Sequence, residues 1–207
     1  MSYEPTVFVV DDDPAMRKSL RWLLQSVGFT VEAFESAEAF LARIDPSLHG
    51  CLILDVRMPG MGGLNLQDAL AARGVDLPTI VITGYAEVPS AVRAMKAGAI
   101  DFLEKPFGDE VLLERVRRAL EIERHRRDTR AVRESARVRL GALTARERQV
   151  FDELVQGRSN RAISAALGIA EKTVEVHRAS VMRKLNATSL TDVIRLAMAA
   201  EDETRRV

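Results

Sequence analysis

The sequence predicts an α/β domain with a doubly wound, five-stranded parallel sheet over residues 1–122. A linker helix over 123–140 follows, and then an all-α helix-turn-helix domain of four helices over 141–207. Three observations carry this. Short apolar runs alternate with helically spaced apolar residues five times in the first half. Between Gly108 and Gly141 there is neither Gly nor Pro. The chain is neutral overall, yet residues 1–122 carry 12 Lys+Arg against 18 Asp+Glu, and residues 123–207 carry 18 against 12. An acidic half joined to a basic half points to two domains with different partners, the basic one fitted to nucleic acid.

The elements follow in order. Thr6 to Val10 (TVFVV) is a β-rich run that ends in Asp11-Asp12-Asp13. Pro14 is a good first helical residue, and Met16, Leu20, Leu23, Leu24 and Val27 have helical spacing, closed by Gly28. Thr30 to Phe34 is a second strand, and Ser36 caps a helix through Ala39, Phe40 and Ile44. Cys51-Leu-Ile-Leu54 is an unbroken apolar run ending at Asp55, the mark of a buried parallel strand. Pro59 and Gly60 then open a loop. A helix with Leu66 and Leu70 runs to Gly74, and Pro78 to Thr83 is strand four. A helix over Ala91–Ala97 closes at Gly98, and Ile100 to Leu103 makes a fifth strand before Lys105-Pro106.

Parallel strands bring their carboxyl ends to one sheet edge, where open α/β sheets build ligand sites. Strands one, three, four and five deliver Asp11 and Asp12, Asp55, Thr83 and Lys105 there. Crowded carboxylates repel unless a cation joins them. An all-oxygen set favours a hard ion such as Mg²⁺. A hydroxyl and an ammonium beside them suit phosphoryl transfer onto a carboxylate. Each group alone reads as a turn, a cap or a surface residue; four at four strand ends do not. Asp13 is expected to be a surface residue or helix cap.

These residues resemble a known family. VVDDDPAMR, LDVRMPGMGG, ITG and EKPF are similar to the signature of two-component receiver domains, over about residues 4–120. The resemblance implies a flavodoxin-like fold in which Asp55 accepts a phosphoryl group from a sensor histidine kinase. It implies Mg²⁺ held by Asp12, Asp55 and the backbone carbonyl of Arg57, with Asp11 through water, and Thr83 and Lys105 on the phosphoryl oxygens. It also implies a cis Lys105-Pro106 bond and a switch aromatic at Phe102, which lacks a hydroxyl and so acts by packing.

Residues 111–139 are rich in helix formers, and a continuous helix there would span roughly 44 Å. Without a sustained heptad seam no long coiled coil is expected; a flexible hinge is the alternative to the helix. In the second half, Thr144-Ala-Arg-Glu147 is a capping box that opens a helix with Val150, Phe151, Leu154 and Val155. Ser159 caps a second helix, closed by Gly168. Residues 171–186 form a third, and Ser189 opens a fourth. Two helices joined by a tight Gly turn in a basic domain suggest helix-turn-helix DNA binding. In the third helix Val174, Val181 and Leu185 share the apolar face. Lys172, Thr173, Glu175, Val176, His177, Arg178, Ala179, Arg183 and Lys184 are the candidate DNA contacts. Glu175 either accepts from a cytosine amino group or orients a neighbouring Arg. His177 either lies near the DNA backbone or packs as a cap.

Residues 141–200 resemble the LuxR/NarL helix-turn-helix, and TVEVHR is similar to the FixJ subgroup. That resemblance implies a transcriptional regulator, not an enzyme, with double-stranded DNA and RNA polymerase as partners. Phosphorylation would promote a homodimer through Val92 and Lys96. Two rivals stand beside it. A phosphoaspartate hydrolase would place a DxD nucleophile after strand one, and the triple Asp fits that poorly. An output module that binds protein would show no salt-dependent DNA affinity.

The only cysteine, Cys51, excludes an intrachain disulfide and a Cys-based metal site, which fits a reducing compartment. No apolar run approaches the ~18 residues of a membrane span. The start of the chain, with Glu4 and Pro5, lacks the regions of a signal peptide. A cytoplasmic protein without a membrane partner is expected.

Overall fold

In the computed structural model, residues 5–45, 48–85 and 87–201 are described; Glu4, named above for the leader, lies outside them. The chain divides into two compact units, Met1–Arg126 and Arg127–Val207.

The first unit alternates strands and helices: β1 (Thr6–Val10), α1 (Pro14–Ser26), β2 (Thr30–Phe34), α2 (Ala37–Arg43), β3 (Gly50–Asp55), α3 (Gly63–Ala72), β4 (Thr79–Thr83), α4 (Val88–Lys96) and β5 (Asp101–Glu104). The five strands form one parallel sheet in the order β2-β1-β3-β4-β5. Alternate residues serve opposite faces. Val7, Val9, Cys51, Ile53, Ile80 and Ile82 pack with Leu20 and Leu24 of α1 and with Leu112, Leu113, Val116 and Ala119. Phe8, Val10, Leu52 and Leu54 pack with Phe40 of α2 and with Leu66 and Leu70 of α3. Each fully buried side chain of this size stabilises the fold by about 1.5–3 kcal/mol. Because every central strand is covered on both sides, none shows polar alternation, and β3 is buried from end to end.

One helix start differs from its sequence expectation. Helix α4 starts at Val88, ahead of the expected Ala91, because Pro89 occupies its first turn, where a missing N–H costs nothing. The stretch after β5 is one α-helix, α5 (Asp109–Gly141), as the run of helix formers predicts; it begins two residues ahead of Val111 and takes in the expected linker. Its sequence offers no Gly or Pro before Gly141 to end it, and the division between the two units falls within it.

The second unit contains α6 (Ala145–Val155), α7 (Asn160–Leu167), α8 (Glu171–Leu185) and α9 (Leu190–Glu201). Thr144 and Glu147 form the expected capping box, and Ser159 caps α7. Gly168 takes the left-handed conformation that turns α7 into α8, and Asn186 does the same at the end of α8. Leu140, Val150, Phe151, Leu154, Ile163, Val174, Val181, Leu185 and Val193 share one core.

Candidate functional site: an acidic cluster on the sheet edge and a helix-turn-helix

The apolar runs of β1 and β3 lie side by side, with Val10 paired to Leu54, so the residues that follow them meet. Asp11 is fully buried and Asp55 is 5% exposed. Such burial is tolerable for carboxylates only with partners. Asp11 Oδ1 accepts from the Asp13 amide at 2.8 Å, and Asp55 Oδ2 accepts from the Arg57 amide at 2.7 Å. Lys105 closes the cluster. Its Nζ donates to Asp55 Oδ1 at 2.6 Å and to Asp11 Oδ2 at 2.8 Å. A cis Lys105-Pro106 peptide bond follows β5, and the Lys105 amide donates to the Thr83 carbonyl at 2.7 Å.

Burial pushes the Asp55 carboxyl above the usual aspartate value. The Lys105 ammonium and the Arg57 amide hold it back, and Asp11 raises it further. Burial would lower the Lys105 ammonium, but its bonds to Asp11 and Asp55 outweigh that and raise it. Two buried carboxylates thus face one half-buried ammonium, two negative charges against one positive. Asp12 is exposed beside them, and Asp13 accepts from the Ala15 amide as the cap of α1. Among the described residues no three acidic, His or Cys side chains are gathered at metal-binding distances; an ammonium takes the third place in the cluster.

Thr83 is 1% exposed at the end of β4. Its Oγ1 donates to the Tyr85 carbonyl at 3.2 Å and accepts from the Tyr85 amide at 3.3 Å, both weak. Phe102 of β5 packs against Leu64, Val81, Ala94 and Ala99, between the sheet and α4. On α4, Val92 and Lys96 are exposed one turn apart, beside exposed Val88 and Met95. Arg57 and Tyr85 lie against each other: the guanidinium carbon sits 5.2 Å from the ring centroid, and Nη2 is 3.6 Å from Glu87 Oε1.

The loop after Asp55 turns so tightly into α3 that a Cβ at Gly63 would lie 2.0 Å from the Asp55 carbonyl oxygen. Three contacts around the site carry no signal local enough to read in sequence. Arg17 Nη1 donates to the Asp11 carbonyl at 2.7 Å. Gln67 Nε2 of α3 donates to the Ala94 carbonyl of α4 at 3.0 Å. Glu38 Oε1 of α2 accepts from the Met61 amide at 3.0 Å.

In the second unit, Val174, Val181 and Leu185 of α8 face the core, as their spacing requires. Lys172, Thr173, Glu175, Val176, Ala179 and Arg183 are exposed. His177, Arg178 and Lys184 are half-buried. Arg178 Nη1 donates to Asn160 Oδ1 on α7 at 3.1 Å. Lys184 Nζ donates to Glu147 Oε2 at 2.7 Å and to the Ala142 carbonyl at 3.1 Å, so its charge already has a partner inside the domain. Glu147 also accepts from Ser180 Oγ at 2.7 Å and from the Thr144 amide. The Lys184 ammonium first, then these donors, hold its carboxyl down to about 2.

Two family models match the chain: the response regulator receiver domain over residues 7–117, and the luxR family of bacterial regulatory proteins over residues 141–197. The transcriptional regulatory protein FixJ of Bradyrhizobium diazoefficiens is 42% identical over 200 residues, covering 97% of this chain and 98% of the relative. FixJ of Rhizobium meliloti is 47% identical over 197 residues, covering 94% and 95%. Among solved structures, the response regulator StyR has a TM-score of 0.87 at 46% identity, covering 95% of this chain and 99% of that one. Full-length FixJ from B. japonicum has a TM-score of 0.59 at 42% identity, covering 97% and 99%.

Proposed function

The chain belongs to the two-component response regulators that join a receiver domain to a LuxR-family helix-turn-helix, and on that premise we propose that Asp55 is the phosphoacceptor whose modification drives dimerisation and promoter binding. It is a FixJ-like transcriptional regulator and not an enzyme. Membership implies a histidine kinase as donor and DNA as target. Among the described residues no helix is long and apolar enough to cross a membrane.

The observation that carries the reading is Lys105 Nζ at 2.6 Å from Asp55 Oδ1, with Asp11 buried beside both. A carboxylate oxygen of Asp55 attacks the phosphorus of a phosphohistidine. The P–N bond breaks, the imidazole leaves, and an acyl phosphate forms. Lys105 then shifts from the Asp55 carboxylate to the phosphoryl oxygens. The Thr83 hydroxyl, held only by weak bonds to its own loop, turns to the same group.

The cluster fits Mg²⁺ by charge and by chemistry: two buried carboxylates outweigh one ammonium, and oxygen donors suit a hard cation. Asp11, Asp12, Asp55 and the Arg57 carbonyl are the residues that would hold it. When bound, it supplies neutralisation of the charge on the phosphoryl group.

Thr83 precedes the loop into α4, and Phe102 packs on Ala94 of α4, so their movement re-forms the face bearing Val92 and Lys96. That face pairs two copies about a two-fold axis. Two α8 helices then meet adjacent major grooves, with Lys172, Thr173, Glu175, Val176, Arg178, Ala179 and Arg183 toward DNA. His177 lies near the DNA backbone, and Lys184 braces α8 on α6. RNA polymerase is the partner at the promoter, and the cytoplasm is the compartment.

Sedimentation of the full-length protein with Mg²⁺, with and without beryllofluoride, tests this. The wild type is expected to pass from monomer to dimer on beryllofluoride, and Asp55→Asn to remain a monomer. An Asp55→Asn protein that dimerised in response to the phosphoryl mimic would overturn the assignment.

A further inference from the structure

Val56 is fixed at both its polar groups: its amide donates to the Ile82 carbonyl and its carbonyl accepts from the Gly63 amide, each at 3.0 Å. Residues 57–62 must therefore close a short loop between two pinned points. Its first residue, Arg57, is held through its amide to Asp55 Oδ2. The far side of the loop is held from another element altogether. Glu38 Oε1, in the first turn of α2, accepts from the Met61 amide at 3.0 Å across 23 residues of sequence. Gly60, next to it, has φ +73, and a Cβ there would lie 3.0 Å from the same oxygen. The carboxylate is seated against the loop backbone.

A glutamate in a first helical turn is ordinarily explained by the helix dipole and by capping. Here Ser36 already caps α2, accepting from the Ala39 amide at 3.1 Å. The helix is anchored by Phe40, fully buried with its ring 5.6 Å from Phe8 and 5.2 Å from Phe34. Met58 and Met61 pack into the same cluster as Ala37 and Phe40. Helix α2 thus serves as a fixed post, and Glu38 is the polar tie from that post to the loop. Hydrogen bonds from backbone amides, its own first and then that of Met61, hold the Glu38 carboxyl below its usual range and keep it an anionic acceptor.

We propose that Glu38 is a positioning residue for the phosphoacceptor loop: by tying Met61 and seating Gly60 it sets the direction of the Arg57 carbonyl, and so the affinity of the site for Mg²⁺. The inference rests on the reading of Asp55 as phosphoacceptor. A metal ligand that is a backbone carbonyl cannot be re-aimed by its own side chain, so the loop's outside tether takes that part.

The test uses full-length protein, as wild type, Glu38→Ala and Glu38→Gln. Mg²⁺ binding is measured by calorimetry, and phosphorylation by acetyl phosphate is followed against Mg²⁺ concentration. Glu38→Ala is expected to weaken Mg²⁺ binding about 3- to 10-fold, with the rate at saturating Mg²⁺ within about twofold of wild type. Glu38→Gln keeps an acceptor oxygen and is expected to restore most of the affinity. Amide exchange at Met61 is expected to quicken in Glu38→Ala while exchange in β1 and β3 stays unchanged, which separates a loosened loop from a damaged fold. A Glu38→Ala protein with wild-type Mg²⁺ affinity would overturn this inference alone. So would a Glu38→Gln protein as impaired as Glu38→Ala. A wild-type protein that takes no phosphoryl group at Asp55 would instead overturn the proposed function.

Discussion

Lys105 Nζ sits between Asp55 Oδ1, 2.6 Å away, and Asp11 Oδ2, 2.8 Å away, and so holds two buried carboxylates that would otherwise repel. Replacing it leaves like charges without their cation. Lys105→Ala is expected to lower stability by about 1–3 kcal/mol, less than the loss of a fully buried partner because the side chain is 18% exposed. Added Mg²⁺ is expected to return part of that loss by replacing the missing charge. Thermal melts with and without Mg²⁺ check both points; a variant that melts like the wild type in chelator refutes them.

Asp55 has the opposite sign. Its carboxyl is raised in the fold by burial, so the folded state binds that proton more tightly than the unfolded chain does. The stabilising contribution belongs to low pH and is lost as pH rises through the raised value. At neutral pH the ionised Asp55 is a cost. Asp55→Asn is therefore expected to melt at the same temperature as the wild type or higher at pH 7, while taking no phosphoryl group. Denaturation curves at pH 7 against about pH 4 would show whether the advantage shrinks on acidification.

Glu147 behaves in the usual carboxylate direction. Its folded value, about 2 against 4.5, means its charge stabilises the helix-turn-helix above the ordinary carboxylate range and ceases to do so as pH falls toward 2. Glu147→Gln is expected to lose stability at pH 7 and to show a shallower further loss between about pH 5 and pH 3 than the wild type.

Lys184 and Arg183 are neighbours in sequence and are expected to fail in different ways. Arg183 is exposed near the end of α8 with Lys172 at its start. Arg183→Ala or Lys172→Ala should weaken binding to all DNA sequences and reduce the slope of log affinity against log salt by about one. Lys184→Ala removes the tie to Glu147 and Ala142. It should lower the melting temperature by roughly 3–6 °C. Salt titrations and melts of the same set of variants would separate the two.

Much of this was legible from local pattern. The central strands β1, β3 and β4 announce themselves as apolar runs stopped by Asp or Thr, because a sheet covered on both faces demands that composition, and the acidic residues then fall at strand ends by topology alone. Helix α4 starts three residues ahead of its apolar pattern, since Pro89 in sequence reads equally as a breaker or as a first-turn residue. Glu38, Arg17 and Gln67 were silent for another reason: each reaches a backbone group, and a backbone group has no sequence identity. Lys184 illustrates the same limit from the other side. Its cationic character suggested a DNA contact, while its partner, Glu147, stands 37 residues earlier on α6.

The strand order β2-β1-β3-β4-β5 has a consequence for biosynthesis. Once β1 has emerged from the ribosome, β2 can pair with one of its edges and β3 with the other. β4 then adds to β3, and β5 to β4. No strand has to be inserted between two that are already paired, and each strand after β1 finds a partner already made. Only the β1–β3 pairing, Thr6 against Gly50, closes a long loop, at a cost that grows only slowly with its length. The sheet can be assembled in the order in which it is made, so its apolar runs spend little time as unpaired edges open to other nascent chains.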